Sequence, residues 1–76
     1  MIVRIVARWT DEGGNQRMSH GQLENISDSG LGILLVNPIC VGTKIEVRSP
    51  YGNYSGTVVR SLQKGEECYV GIKRDA

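Results

Sequence analysis

Val3-Arg4-Ile5-Val6-Ala7-Arg8-Trp9 alternates with a period of two: Val3, Ile5, Ala7 and Trp9 share one face, and Arg4, Val6 and Arg8 share the other. That pattern predicts a half-buried strand with Trp9 on the core side. Asp11-Glu12-Gly13-Gly14-Asn15 follows as a hairpin loop, since two glycines beside Asn supply the positive-φ positions such a loop demands. A second strand is expected over roughly Arg17 to Glu24, with a weak apolar pattern interrupted by Gly21. Leu31 to Val36 predicts a third, nearly apolar on both faces and therefore covered on both sides. Asn37-Pro38 ends it, because proline cannot donate to a ladder. Lys44 to Arg48 reads as a fourth strand with Ile45 and Val47 inward, and Pro50-Tyr51-Gly52-Asn53 turns the chain into a fifth, Tyr54 to Leu62. Gln63-Lys64-Gly65-Glu66 turns it again into a sixth, on which Cys68, Val70 and Ile72 face inward. With no stretch of 3.6-residue periodicity long enough for a stable helix, the chain is expected to be all-β, a barrel or sandwich. Closing the barrel would protect its edges.

At 76 residues the chain is expected to form one domain over its whole length, 1–76. Folding at this size hides only about 60% of the surface exposed by the unfolded chain, which leaves little room for a deep pocket. Hydrophobic residues at 39% with charged residues at 22% fit a globular domain better than a disordered or membrane chain. A formal net charge of +1 supplies no bulk attraction to a nucleic-acid backbone or an anionic membrane, so any anion must be met locally. Cys40 and Cys68 lack CxxC spacing and a four-ligand complement, so no metal is expected, and both read as small core hydrophobes. Their spacing alone leaves a disulfide open. No signal segment precedes the globular pattern, so a reducing cytoplasm is expected, and Asn25-Ile26-Ser27 is then not a glycosylation site.

Catalytic constellations are lacking. His20, the only histidine, neighbours Ser19 on a strand, and adjacent strand residues point to opposite faces, so it cannot act as base to that hydroxyl. There is no GxSxG, Walker loop or GxGxxG, and Asp11 and Glu12 lie in a turn that offers no low-dielectric cleft. A non-enzymatic chain without a cofactor is expected. The informative segment is Glu24-Asn25-Ile26-Ser27-Asp28-Ser29-Gly30-Leu31-Gly32-Ile33. Asn25, Ser27, Asp28 and Ser29 can each bond nearby backbone, and Gly30 can take positive φ or let another group approach the main chain. Two readings stand side by side: a tight connection between strands, or a ligand-side loop.

Asn25-Ile26-Ser27-Asp28-Ser29-Gly30 matches the (D/N)xSxxG motif of the PilZ domains, small six-stranded bacterial β-barrels that receive the second messenger cyclic di-GMP. Here the chain resembles that family. The resemblance continues through Gly42-Thr43-Lys44-Ile45-Glu46-Val47, Gly56-Thr57-Val58-Val59-Arg60 and Tyr69-Val70-Gly71-Ile72, four matches in order over nearly the whole chain. It implies an antiparallel six-stranded PilZ-like β-barrel. It also implies a binding surface on Asn25, Ser27, Asp28, Ser29 and Gly30, with Asn25 accepting from a guanine edge and Ser27 bonding a phosphate or fixing the loop.

The family's other signature, RxxxR, is spelled by Arg4-Ile5-Val6-Ala7-Arg8. In the family those arginines precede the first strand, whereas here they fall inside its pattern, about 13 Å apart on one face. The usual arginine segment is accordingly expected ahead of Met1 and missing from this chain. Arg4 and Arg8 then stand as candidate ligand arginines or as a solvated strand face. Arg17, Arg60, Lys73 and Arg74 are other cations that a barrel could bring to one end. The messenger is a dianion with two flat purines, and losing two arginines at about 1.5 to 3 kcal/mol per charged hydrogen bond weakens binding by orders of magnitude. The expected function is a cyclic di-GMP receptor or adaptor module. The alternative is a degenerate barrel that binds no nucleotide and serves as a protein-interaction unit. A third reading, an OB-like barrel on single-stranded nucleic acid, is opposed by few aromatics and almost no charge excess.

Overall fold

The computed structural model describes residues 1–75. These form six antiparallel strands, β1 (Val3–Thr10), β2 (Gln16–Ile26), β3 (Gly30–Leu35), β4 (Lys44–Ser49), β5 (Gly52–Lys64) and β6 (Glu67–Arg74), with no helix among them. The sheet closes on itself in the order β1-β2-β3-β6-β5-β4, so every strand has a partner on both sides. Each expected strand is present. β2 and β5 run longer at both ends than their apolar patterns suggest, because a ladder continues wherever a neighbour supplies partners.

Alternation sets the interior. Ile5, Ala7 and Trp9 from β1 meet Leu31, Ile33 and Leu35 from β3, Ile45 and Val47 from β4, Val58 from β5, and Cys68, Val70 and Ile72 from β6, all buried. Trp9 is therefore core, as its face predicts. β2 adds only half-buried Leu23, which explains its weak apolar pattern. Gly21 does not interrupt β2: it pairs with Ile5 and Leu35, and a Cβ there would collide with the Leu34 carbonyl and the Leu35 side chain. The small residue makes room for its large neighbours.

β3 departs from the expectation of cover on both sides. It ends at Leu35, leaving Val36 exposed, and its outer face carries half-buried Leu34 beside Gly32. Gly32 is buried by the Tyr69 ring lying over it from β6 rather than by a second layer of structure. Cys40 is also corrected. The expectation of two core cysteines holds for Cys68, but Cys40 is exposed, and both are free thiols. The segment between β3 and β4 buries Ile39 instead, and Cys40, next along the extended chain, points outward.

The 11–15 loop closes as a hairpin in which the Asp11 N–H donates to the Asn15 carbonyl at 2.9 Å. Of the two glycines only Gly14 takes positive φ, at 82°. The Asp11 carboxylate accepts from the Asn15 and Gly13 N–H groups at 2.9 and 3.0 Å. These bonds, that of Asn15 foremost, hold its carboxyl below the usual range, and Arg17 at 3.7 Å adds to the effect.

Candidate functional site

The motif segment lies at the barrel end where β2 hands over to β3. Asn25 and Ile26 are the last residues of β2, opposite Gly32 and Leu31, so the free loop is only Ser27-Asp28-Ser29. Ser27 organises it. Its N–H donates to the Gly30 carbonyl at 2.8 Å, and its Oγ accepts from the Gly30 N–H at 3.2 Å and lies 3.3 Å from Ser29 Oγ. A serine in this place supplies the side-chain bond that a short turn needs. Gly30 serves close approach rather than positive φ: a Cβ would stand 2.6 Å from the Ile72 carbonyl oxygen of β6. Asp28 is exposed at the tip.

The loop is fastened from the far end of the chain. The Arg74 N–H donates to the Ser29 carbonyl at 2.9 Å, and its Nη1 donates to the Ser27 carbonyl at 3.0 Å. Arg74 continues the inward series Cys68, Val70 and Ile72, but at the rim, where its guanidinium also lies 4.9 Å from the centre of the Tyr54 ring. Burying a cation inside a barrel would be expensive, and at the mouth it meets a carbonyl, an aromatic face and water together. Lys73, opposite Gly30, is exposed beside it. On the outer wall next to the loop, Asn25 Nδ2 donates to Tyr69 Oη at 3.3 Å, which leaves the Asn25 carbonyl oxygen without a partner among the described residues. Lys64 stands 5.6 Å from the centre of the same tyrosine ring.

The structure thus brings Asn25, Ser27, Asp28, Ser29 and Gly30 together and adds Arg74 and Lys73, but does not bring Arg4 and Arg8 into the same cluster. Both are exposed on the outer face of β1. Arg8 lies opposite Met18, some seven residues short of Asn25 along β2, or about 20 Å. Arg4 is nearer, opposite Gln22 and about 10 Å short of Asn25. Neither guanidinium hydrogen-bonds to the loop. Arg17 is at the opposite end with Asp11, and Arg60 is on the wall opposite Gly71. Sequence reasoning named Arg74 only as one of several loose cations, and missed Tyr54 as its partner and Tyr69 as the partner of Asn25.

Other chemistry-bearing groups stay apart. Ser19 pairs with buried Ala7 and His20 with Val6, so the two face opposite sides. Among the described residues no three His, Cys, Asp or Glu side chains gather as a metal site would require. At the other barrel end the Cys40 thiol donates to Glu12 Oε1 at 3.3 Å, and that bond, helped by the carboxylate charge, pushes the thiol pKa up. Cys40 will therefore alkylate with iodoacetamide at mildly alkaline pH more slowly than a free thiol, and Glu12→Gln will speed it several-fold. An unchanged rate would mean that the thiol and carboxylate do not stay together in solution.

No protein-family model matches the chain, and no curated protein sequence matches it.

Proposed function

We propose that this chain is a non-enzymatic, cytoplasmic receptor or adaptor module for cyclic di-GMP in bacterial signalling, with the Asn25–Gly30 segment as its ligand side. The observation that carries the reading is the Arg74 guanidinium at 3.0 Å from the Ser27 carbonyl, which puts a fixed cation at the polar bend that bears the motif. The Tyr54 ring lies against it, and on the outer wall next to the loop stand exposed Lys73 for a second phosphate charge, the open Asn25 side-chain oxygen for a guanine N–H, and the Tyr69 ring. The PilZ resemblance supplies the messenger's identity. Charged bonds to phosphate are the strong ones, and arginine's planar fork matches them geometrically.

A second reading keeps the barrel and drops the nucleotide. It is favoured by the same bond read the other way: Arg74 is already engaged by Ser27 and Tyr54, the loop's hydroxyls bond within the loop, and Arg4 and Arg8 lie elsewhere. On this reading the motif only ties one barrel end shut.

Isothermal titration decides between them. The receptor reading expects heat of binding with cyclic di-GMP at a dissociation constant in the range of about 1 to 50 µM, near 8 kcal/mol at the tight end. Asn25→Ala should weaken it by about tenfold, since the amide's loss removes a base contact without loosening the Ser27 turn. Titration of Arg8→Ala shows whether the first-strand arginines take part. Silence at tens of micromolar messenger retires the receptor reading and leaves the interaction unit.

A further inference from the structure

The outer wall of β1, with its neighbours β2 and β4, concentrates positive charge that nothing in the barrel neutralises. Arg4, Val6 and Arg8 alternate outward along β1, and Val6 is flanked by His20 on β2 and by Arg48 on β4. Two adjoining surface depressions share Val6, His20 and Arg48, one reaching to Arg4 and the other to Arg8 and Met18. Arg4, Arg8 and Arg48 are all exposed, and among the described residues none of them makes a side-chain hydrogen bond or ion pair. The acidic groups nearby are few. Glu46 stands opposite Arg8 without reaching ion-pair distance, Glu67 lies beyond Arg4, and Asp11 is taken by Arg17 at 3.7 Å.

The layout has a shape as well as a sign. Arg4 and Arg8 lie about 13 Å apart, with Arg48 about 5 Å to the side of their midpoint on the next strand, so three guanidiniums surround half-buried Val6. Exposed Met18, opposite Arg8, widens the apolar centre. An apolar middle ringed by arginines is the arrangement that protein interfaces favour. Carboxylates at alternate outward positions of an extended segment repeat at the same spacing, and each suits the fork of an arginine. Among the described residues no tyrosine or tryptophan lines the two depressions, so the face offers no platform on which bases could stack. With one excess positive charge over the whole chain, the attraction at this wall is local rather than a bulk property.

We propose that this β1/β2/β4 wall docks an acidic segment of a partner protein, of the pattern carboxylate, apolar, carboxylate on one face of an extended chain, with Arg4, Arg8 and Arg48 pairing its carboxylates around Val6. The inference does not depend on the motif loop binding a nucleotide, and for an adaptor it supplies the output surface.

The test is an NMR titration of the nitrogen-15-labelled protein with the peptide Gly-Thr-Glu-Thr-Leu-Thr-Glu-Thr-Gly and with its counterpart carrying Gln for Glu. The acidic peptide should shift the amides of Val6, Arg8, His20 and Arg48 and saturate at sub-millimolar to millimolar concentration, while the glutamine peptide binds at least about fivefold more weakly. Arg4→Gln/Arg8→Gln/Arg48→Gln should lose about tenfold or more in affinity with an unchanged melting curve, since the three side chains are exposed and unpaired; Arg48→Gln alone serves if the triple variant folds poorly. Equal shifts with both peptides, full affinity in the variants, or tighter titration of the same amides by a short oligothymidylate would each overturn the proposal. The loop amides from Ser27 to Gly30 should stay still, which separates this result from any outcome with cyclic di-GMP.

Discussion

Ile33→Ala will bring the barrel close to unfolding at room temperature. Ile33 is fully buried, with 0% exposure, and its alternates Leu31 and Leu35 fill the interior on either side, so the truncated site has nothing loose with which to refill. An isoleucine-to-alanine change in such a core costs about 2 to 5 kcal/mol. A domain of this size has only about 4 to 11 kcal/mol of net stability to lose. At about 4 to 8 °C per kcal/mol for a small domain, the melting midpoint should fall by about 8 °C or more. Thermal unfolding followed by circular dichroism checks it, and a drop of only a few degrees would mean that the interior repacks far more freely than a closed six-stranded barrel permits.

Arg74→Ala should have the largest effect at the rim, and it acts twice. It removes the guanidinium bond to the Ser27 carbonyl and the contact with the Tyr54 ring, while the main-chain bond from residue 74 to Ser29 persists. Losing the half-exposed pair of contacts costs about 1 to 2 kcal/mol. The barrel should therefore fold with a lowered midpoint, and the Ser27 and Gly30 amides, which lie within the loop's own hydrogen bonds, should exchange faster. If the rim takes cyclic di-GMP, the same variant binds it at least about tenfold more weakly, and Arg74→Lys recovers only part, because an ammonium keeps the charge without the planar fork. Unaltered exchange and unaltered binding together would show that the clasp does nothing for either the loop or the ligand.

Much of the fold is legible along the chain. Val3 to Trp9, Lys44 to Arg48 and Cys68 to Ile72 alternate cleanly and become strands with those faces turned in, since side-chain direction on a strand is a local property. β2 was legible only in part, because it gives the core a single large side chain and owes its length to pairing with β1 and β3. Cys40 was misread for a related reason: a small apolar residue next to buried Ile39 carries no mark of which one the closing loop will turn inward. The candidate site shows the same division. Asn25, Ser27 and Gly30 are recognisable from their spacing, while the partner roles of Arg74, Tyr54 and Tyr69 come from other strands.

The strand positions, most inward faces, the 11–15 turn and a polar bend before Leu31 follow from residue type and a period of two. Which charges meet that bend depends on long-range pairing. Arg74 is 47 positions from Ser27 and reaches it because β3 pairs with β6, whereas Arg8, written in a ligand-like motif, is carried onto another wall by the register of β1 on β2. Register between strands distant in sequence is set by the summed packing of a closed interior and by the stagger that closure requires, and no local window of residues contains that sum.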